Sequence, residues 1–169
     1  MRHAPAGGRL YYFTEIEGPV GRLLLAGDRE FLRAIRFGEG RSAGPEPGWR
    51  RDHEPFRKVI GELQAYFAGE LTKFSVAVDP AGTPFQKRVW ADLVRIPYGT
   101  SISDGELARR VGNPAAARAV GLANGANPVP IVIPCHRVIG SNGRLTGYGG
   151  GLSRKELLLA LERRQLTLL

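Results

Sequence analysis

"SISDGELARRVGNPAAARAVGLANG", Ser101–Gly125, holds two short helical patterns separated by a Gly-Asn-Pro break. Ser103 followed three residues later by Glu106 reads as a capping box, opening a first helix through Leu107 and Val111. Gly112 ends it, and Asn113 stands at the cap position of a second helix beginning at Pro114. Two short helices around such a break are the sequence form of a helix-turn-helix, although a plain helical hairpin has the same spacing. The second helix is unusual in its surface. Ala115, Ala116, Ala117, Ala119, Gly121 and Ala123 leave little bulk, and Arg118 is its one long polar side chain. Such a helix either packs closely among neighbours or lies in a groove as narrow as the DNA minor groove, about 6 Å wide, and projects one guanidinium.

Upstream, Thr83 and Gln86 form another capping box with Pro84 at the first helical position, and Phe85, Val89 and Leu93 share a face beside Trp90. The Pro/Gly cluster "DPAGTP" (Asp79–Pro84) marks a boundary between a strand-rich and a helix-rich half, so domains of residues 1–79 and 80–169 are expected. In the first half, "GRLYYFTEI", "GRLLLAG" and "FLRAIRF" are short strands with turn signals between them, an antiparallel meander. "GEGRSAGPEPG" is a loop, and "EPFRKVIGELQAYFAGE" places Phe56, Ile60, Leu63 and Phe67 on one helical face with Gly69 as its stop. "LTKFSVAVD" reads as a further strand. The fold class is α/β.

The 169 residues suffice to bury a core and contain no apolar run near the ~20 residues a membrane span needs. "MRHAPAGGRLYY" has charge but no apolar segment, so no secretory signal and a cytoplasmic location are expected. A single cysteine excludes an internal disulfide and a cysteine-based zinc cluster. No metal or cofactor motif is evident. The net charge of +8 favours an acidic partner, and from Asn113 to Leu169 seven Lys/Arg stand against Glu156 and Glu162. A solvated basic surface would read the same way.

Downstream, "PVPIVIPCHRVIG" (Pro128–Gly140) contains the lone cysteine. A thiol in an apolar run is ordinarily an inert core residue. Here Pro134 lacks an N–H, so the chain is expected to leave its strand at Cys135, letting Cys135 and His136 converge directly or over a water. Arg137 adds positive charge favouring thiolate, and His136 can take the proton of a thiol that is otherwise only a few per cent ionised. "SRKELLLALERR", with Ser153 and Glu156 as a capping box, brings Glu162, an acid able to orient the imidazole.

At these residues a resemblance becomes specific. "IPCHRVIG", preceded by "ARAVGLANGANPVPIV" and followed by "NGRLTGYGGGLSRKELLL", resembles the 6-O-alkylguanine-DNA alkyltransferases, the methylated-DNA–protein-cysteine methyltransferases, in their bacterial form. The match runs from about Gly82 to Arg164, and the N-terminal meander and "AYFAGE" fit as well. The resemblance implies a ribonuclease H-like antiparallel α/β domain followed by a winged-helix domain. It also implies a monomer that repairs alkylated guanine, and 4-O-alkylthymine, in double-stranded DNA from the minor groove. By that resemblance, Cys135 attacks the alkyl carbon and keeps the group as a thioether, inactivating the protein after one turnover. His136 takes the thiol proton and is held by Glu162; Asn127 supports the turn beneath the site. Tyr148 donates to the guanine oxygen, and Pro130 lines the substrate pocket. Arg118 fills the gap left by the flipped nucleotide, and Asn113 and Ser141 contact DNA.

Two departures stand out. Where the family carries a tyrosine thought to help rotate the 3′ phosphate, this chain has Asp104, which would repel a phosphate unless turned away or protonated. Leu157 replaces a frequent tryptophan, a packing change. Other readings are a DNA-binding module that recognises lesions without transferring anything, as follows if Asp104 impairs flipping, and a cysteine hydrolase. The intact "PCHR" argues against the first, and adjacent Cys and His without an evident oxyanion loop against the second.

Overall fold

Short apolar-rich segments separated by turns build the first sheet. The computed structural model describes residues 10–38, 43–140, 142–143 and 147–168, and the chain divides into two units, Met1–Pro80 and Ala81–Leu169. In the first, β1 (Tyr12–Gly18), β2 (Gly21–Gly27) and β3 (Leu32–Phe37) form the expected antiparallel meander, with Ile16 opposite Leu23 and Leu25 opposite Ile35. A short β4 (Arg50–Arg51) adds to β1 in parallel, giving the order β3-β2-β1-β4 and making the sheet mixed. β2 lies inside the sheet and is buried on both faces from Leu23 to Gly27, which is why it reads as an unbroken apolar run.

A 3₁₀ turn, Glu54–Phe56, leads into α1 (Arg57–Phe67), which buries Val59, Ile60, Leu63 and Tyr66. The inward face is thus turned slightly from the expected one: Tyr66 is fully enclosed and Phe67 only half-buried. Gly69, at φ +76°, ends the helix in a conformation that a side chain would oppose. "LTKFSVAVD" forms no regular strand; it contributes one bridge, Val78 to Leu32. The Glu62 carboxylate accepts the N–H groups of Ser75 and Val76, so a side chain supplies what a sheet neighbour would have.

The second unit comprises α2 (Pro84–Leu93), β5 (Ile102–Ser103), α3 (Asp104–Arg110), α4 (Ala117–Gly125), β6 (Val138–Ile139) and α5 (Leu152–Leu168). The capping box on α2 forms in both directions. Trp90 of α2 donates its indole N–H to the Ala123 carbonyl of α4 at 2.8 Å. α3 and α4 are the two helices of the helix-turn-helix, and β5 pairs with β6 in parallel.

Three expected caps differ. Ser103 accepts the Glu106 N–H, but the Glu106 carboxylate binds Arg109 and Arg110 and does not return to the cap. The Asn113 side chain caps nothing, because Pro114 opens a 3₁₀ turn, Pro114–Ala116, before α4 begins. α5 starts at Leu152, which puts Ser153 inside its first turn. Among the described residues no helix is long and apolar enough to cross a membrane.

Candidate active site

"PVPIVI" proves to be a tight turn with a single Pro130–Ile133 bridge, buried from Val129 onward. Ile131 has φ +74°, a conformation costly for a β-branched residue and maintained only when the surroundings dictate it. Asn127 does so from beneath. Its amide donates to the Ile133 carbonyl at 2.8 Å, and its Oδ1 accepts the Val129 N–H at 3.0 Å. The chain then enters a 3₁₀ turn, Cys135–Arg137, with Pro134 at its cap.

Cys135 is 5% exposed. Burial pushes its thiol up to about 11, against opposing effects of a hydrogen bond from Asn127 and the positive charge of Lys155. The resting side chain is therefore a neutral thiol. Arg137 does not supply the positive charge expected beside it: its guanidinium grips Glu162 through Nε at 2.9 Å and Nη2 at 3.0 Å, and donates to the Ile96 carbonyl at 2.7 Å. That ion pair neutralises Arg137. The cation facing the thiol is Lys155 of α5, completely buried, with its ammonium donated to the Val138 carbonyl.

Glu162 accepts two hydrogen bonds from Arg137, one from the Gly99 N–H at 2.9 Å and one from His136 Nε2 at 2.7 Å. Burial opposes its ionisation, but His136 and Arg137 outweigh that and hold it down to about 2. Gly99 reaches it from a turn at φ +79°. Burial keeps the imidazole of His136 neutral, lowering its pKa against the pull of Glu162. An ionised carboxylate only accepts, so Nε2 carries the proton and Nδ1 holds the free lone pair. Nδ1 is buried and has no hydrogen-bond partner among the described residues, and no direct hydrogen bond joins it to Cys135.

Tyr148 precedes α5; its hydroxyl is buried, and burial followed by the proximity of Cys135 raises its pKa well above 10, keeping it a donor. Pro130 is buried in the turn. On α4, Arg118 is exposed and lines a groove of about 640 Å³ with Asp104, Gly121, Asn124 and Gly147. The Asn124 amide donates to the Cys135 carbonyl at 3.4 Å, tying α4 to the turn that carries the thiol. Asn113 is exposed at the turn before α4, and Ser141 lies outside the described residues. No group of three or more metal-ligating side chains occurs among the described residues.

The structure thus brings Cys135, Asn127, His136, Glu162 and Tyr148 into one neighbourhood and leaves Asn113 and Arg118 on the helix-turn-helix surface. Sequence reasoning missed Lys155, Asn124 and the Gly99 N–H. Lys155 had a legible signal: it lies seven residues, two helical turns, before Glu162 and so shares its buried face.

Comparison with known proteins decides the family. The model of the 6-O-methylguanine DNA methyltransferase ribonuclease-like domain matches residues 11–80, and that of the same family's DNA-binding domain matches residues 84–164. The chain belongs to the 6-O-methylguanine DNA methyltransferase family. It is 52% identical to a methylated-DNA–protein-cysteine methyltransferase of Methanosarcina acetivorans, over 89% of this chain and 97% of that protein. A protein of that name from Mycolicibacterium paratuberculosis is 51% identical, over 90% of this chain and 92% of its own. The crystal structure of the Mycobacterium tuberculosis 6-O-methylguanine methyltransferase superposes with a TM-score of 0.85 at 49% identity, covering 94% and 99% of the two chains. A structure of the M. tuberculosis protein in complex with DNA matches at a TM-score of 0.86 and 51% identity, covering 91% and 94%. Both halves of the family's architecture are present, the ribonuclease-like domain and the helix-turn-helix domain.

Proposed function

We propose that this chain reverses alkylation damage in double-stranded DNA by moving the alkyl group of 6-O-alkylguanine, and of 4-O-alkylthymine, irreversibly onto Cys135, acting as a cytoplasmic monomer. The observation that carries the reading is the arrangement around the thiol. Cys135 sits on a turn braced by Asn127, faced by the Lys155 ammonium and Tyr148, next to a neutral imidazole whose free Nδ1 is backed by an ionised Glu162.

The chemistry follows from those groups. The thiol proton moves to His136 Nδ1, directly or over a water, and Glu162 stabilises the imidazolium. Thiolate sulfur attacks the alkyl carbon, the bond from that carbon to the base oxygen breaks, and a thioether forms. Negative charge passes to the guanine, where the Tyr148 hydroxyl donates to the departing oxygen. Nothing in this sequence regenerates the thiol, so one alkyl group per chain is the limit. Incubating the protein with excess duplex carrying a labelled methyl group is expected to plateau at one label per chain; continued turnover would contradict the reading.

The target atom cannot meet the thiol while stacked, so the nucleotide leaves the helix, at a cost of a few kcal/mol. Arg118 occupies the place it vacates, from a helix whose small residues permit close approach. Asn113 and Ser141 hold the backbone, and binding falls with salt because phosphates supply most of the affinity. Arg118→Ala is expected to slow repair of duplex roughly tenfold or more while reaction with free 6-O-methylguanine base changes little. Equal losses on both substrates would remove that role. A lesion binder that transfers nothing is not favoured, since Asp104 is turned against Gly121 of α4 and relatives of about half identity carry the methyltransferase name.

A further inference from the structure

Two cations stand beside the thiol turn, and their surroundings differ. Arg137 is gripped by the Glu162 carboxylate in direct contact, at 2.9 Å and 3.0 Å, which neutralises its charge. Lys155 is completely buried and donates to the Val138 carbonyl, an uncharged acceptor. Burial works against its ammonium, and two anionic groups work in its favour, Cys135 as a thiolate and Asp104. Before reaction Cys135 is a neutral thiol, so at rest the supporting charge of that pair comes from Asp104.

The short parallel ladder brings Asp104 to this place. Ile102 lies opposite Val138 and Ser103 opposite Ile139, so α3 opens with Asp104 two residues beyond the partner of the carbonyl that anchors Lys155. The carboxylate is half-buried and turned towards α4, its Oδ1 3.5 Å from the point where a Cβ on Gly121 would stand. Among the described residues it makes no ion pair at contact distance and no side-chain hydrogen bond, and the charge that favours its ionised form is Lys155. A carboxylate at that distance supports an ammonium without cancelling it, whereas the contact pair cancels Arg137. An acid also suits the first turn of α3 through the helix dipole, but that role needs neither burial nor a facing lysine.

Resting on the proposed alkyl transfer for its purpose, we propose that Asp104 is a positioning residue for the nucleophile: it is the standing counter-ion that keeps Lys155 an ammonium while Cys135 is still a thiol, so that the cation is in place when the thiolate forms. The other titratable groups around the thiol stay constant from about pH 7 to pH 10. Burial keeps His136 neutral, Tyr148 is raised well above 10, Glu162 is held down to about 2, and Arg137 stays charged.

Loss of one proton from the Cys135–Lys155 pair gives either a thiolate beside an ammonium, which reacts, or a thiol beside a free amine, which does not. Asp104 favours the first form. The test measures the rate at which iodoacetamide alkylates Cys135, sulfur displacing iodide, across that pH range, with the product located by peptide mapping. No DNA is present, so an effect of the aspartate on phosphate binding does not enter. The ratio of wild-type to Asp104→Asn rate is expected to grow from about one near pH 7 to about tenfold near pH 10, because Lys155 of the variant gives up its proton first. In a Lys155→Met background the same substitution is expected to leave that ratio near one at every pH. A ratio that stays at one, a constant loss at every pH as a packing defect gives, or the same pH-dependent ratio without Lys155 would overturn the proposal. Methyl transfer by wild-type protein from a 6-O-methylguanine duplex is measured in parallel. Its absence would overturn the functional reading, while the iodoacetamide ratios decide the counter-ion by themselves.

Discussion

Glu162→Gln is expected to lower stability and transfer rate together, the largest combined loss of any substitution outside the nucleophile. The wild-type carboxylate is completely buried and accepts from Arg137 twice, His136 and Gly99. An amide in its place presents donors to donors and leaves the Arg137 guanidinium enclosed without a counter-charge. Breaking a buried ion pair by removing one partner costs roughly 3–5 kcal/mol. For a unit of this size that lowers the unfolding midpoint by more than about ten degrees. Acid sensitivity changes as well. Glu162 titrates at about 2 when folded against an ordinary 4.5, so its contribution is full above pH 4.5 and is lost as pH falls through about 2. Wild-type protein should lose stability across that window, and Glu162→Gln should lose much less. Thermal melts of both proteins between pH 2 and pH 6 check this; parallel curves would show that Glu162 is not the titrating group. The rate falls because His136 loses the carboxylate that fixes its tautomer and stabilises its protonated form, typically a factor of about 10²–10⁴.

Lys155→Met tests the electrostatics of the thiol. Burial drives Cys135 towards the neutral form, and Lys155 is the cation that opposes this. Methionine keeps the length and removes the charge, so the thiolate becomes harder to form. The profile of transfer rate against pH should shift to higher pH, and the rate at neutral pH should fall by about tenfold or more. A uniform loss at every pH would indicate damage to packing, since the Lys155–Val138 contact also goes. An unchanged profile would mean that the thiol is activated by His136 alone.

How far the chain could be read in advance depended on whether a feature was local. Capping at Thr83 and Gln86 and the Gly69 stop rest on neighbours within a few residues, and both formed as read. The meander was legible because three short apolar-rich segments are separated by turn signals. "LTKFSVAVD" failed as a strand because Glu62, thirteen residues before Ser75, takes the N–H groups of Ser75 and Val76, a contact no periodicity records. "PVPIVI" looked like a strand for a related reason: it is apolar through burial, while its path is dictated by Asn127 and by Ile131 in a left-handed conformation. At the site, the adjacency of Cys135 and His136 and the late acid were visible as residues. The direction of Arg137 was not. Its guanidinium could face either the thiol or Glu162, and only the packing of α5 against the 3₁₀ turn decides that it takes the carboxylate. Asp104 was visible as a departure, but its place on a groove wall against Gly121 of α4 needed the fold.

The most direct test of the account is the intact mass of the protein, followed by peptide mapping, after incubation with duplex DNA carrying one 6-O-methylguanine. The account predicts one added methyl group per chain, located on Cys135 and absent in Cys135→Ser, with guanine restored in the duplex. An unchanged mass while the damaged duplex stays bound, or a methyl group on any other residue, would contradict it.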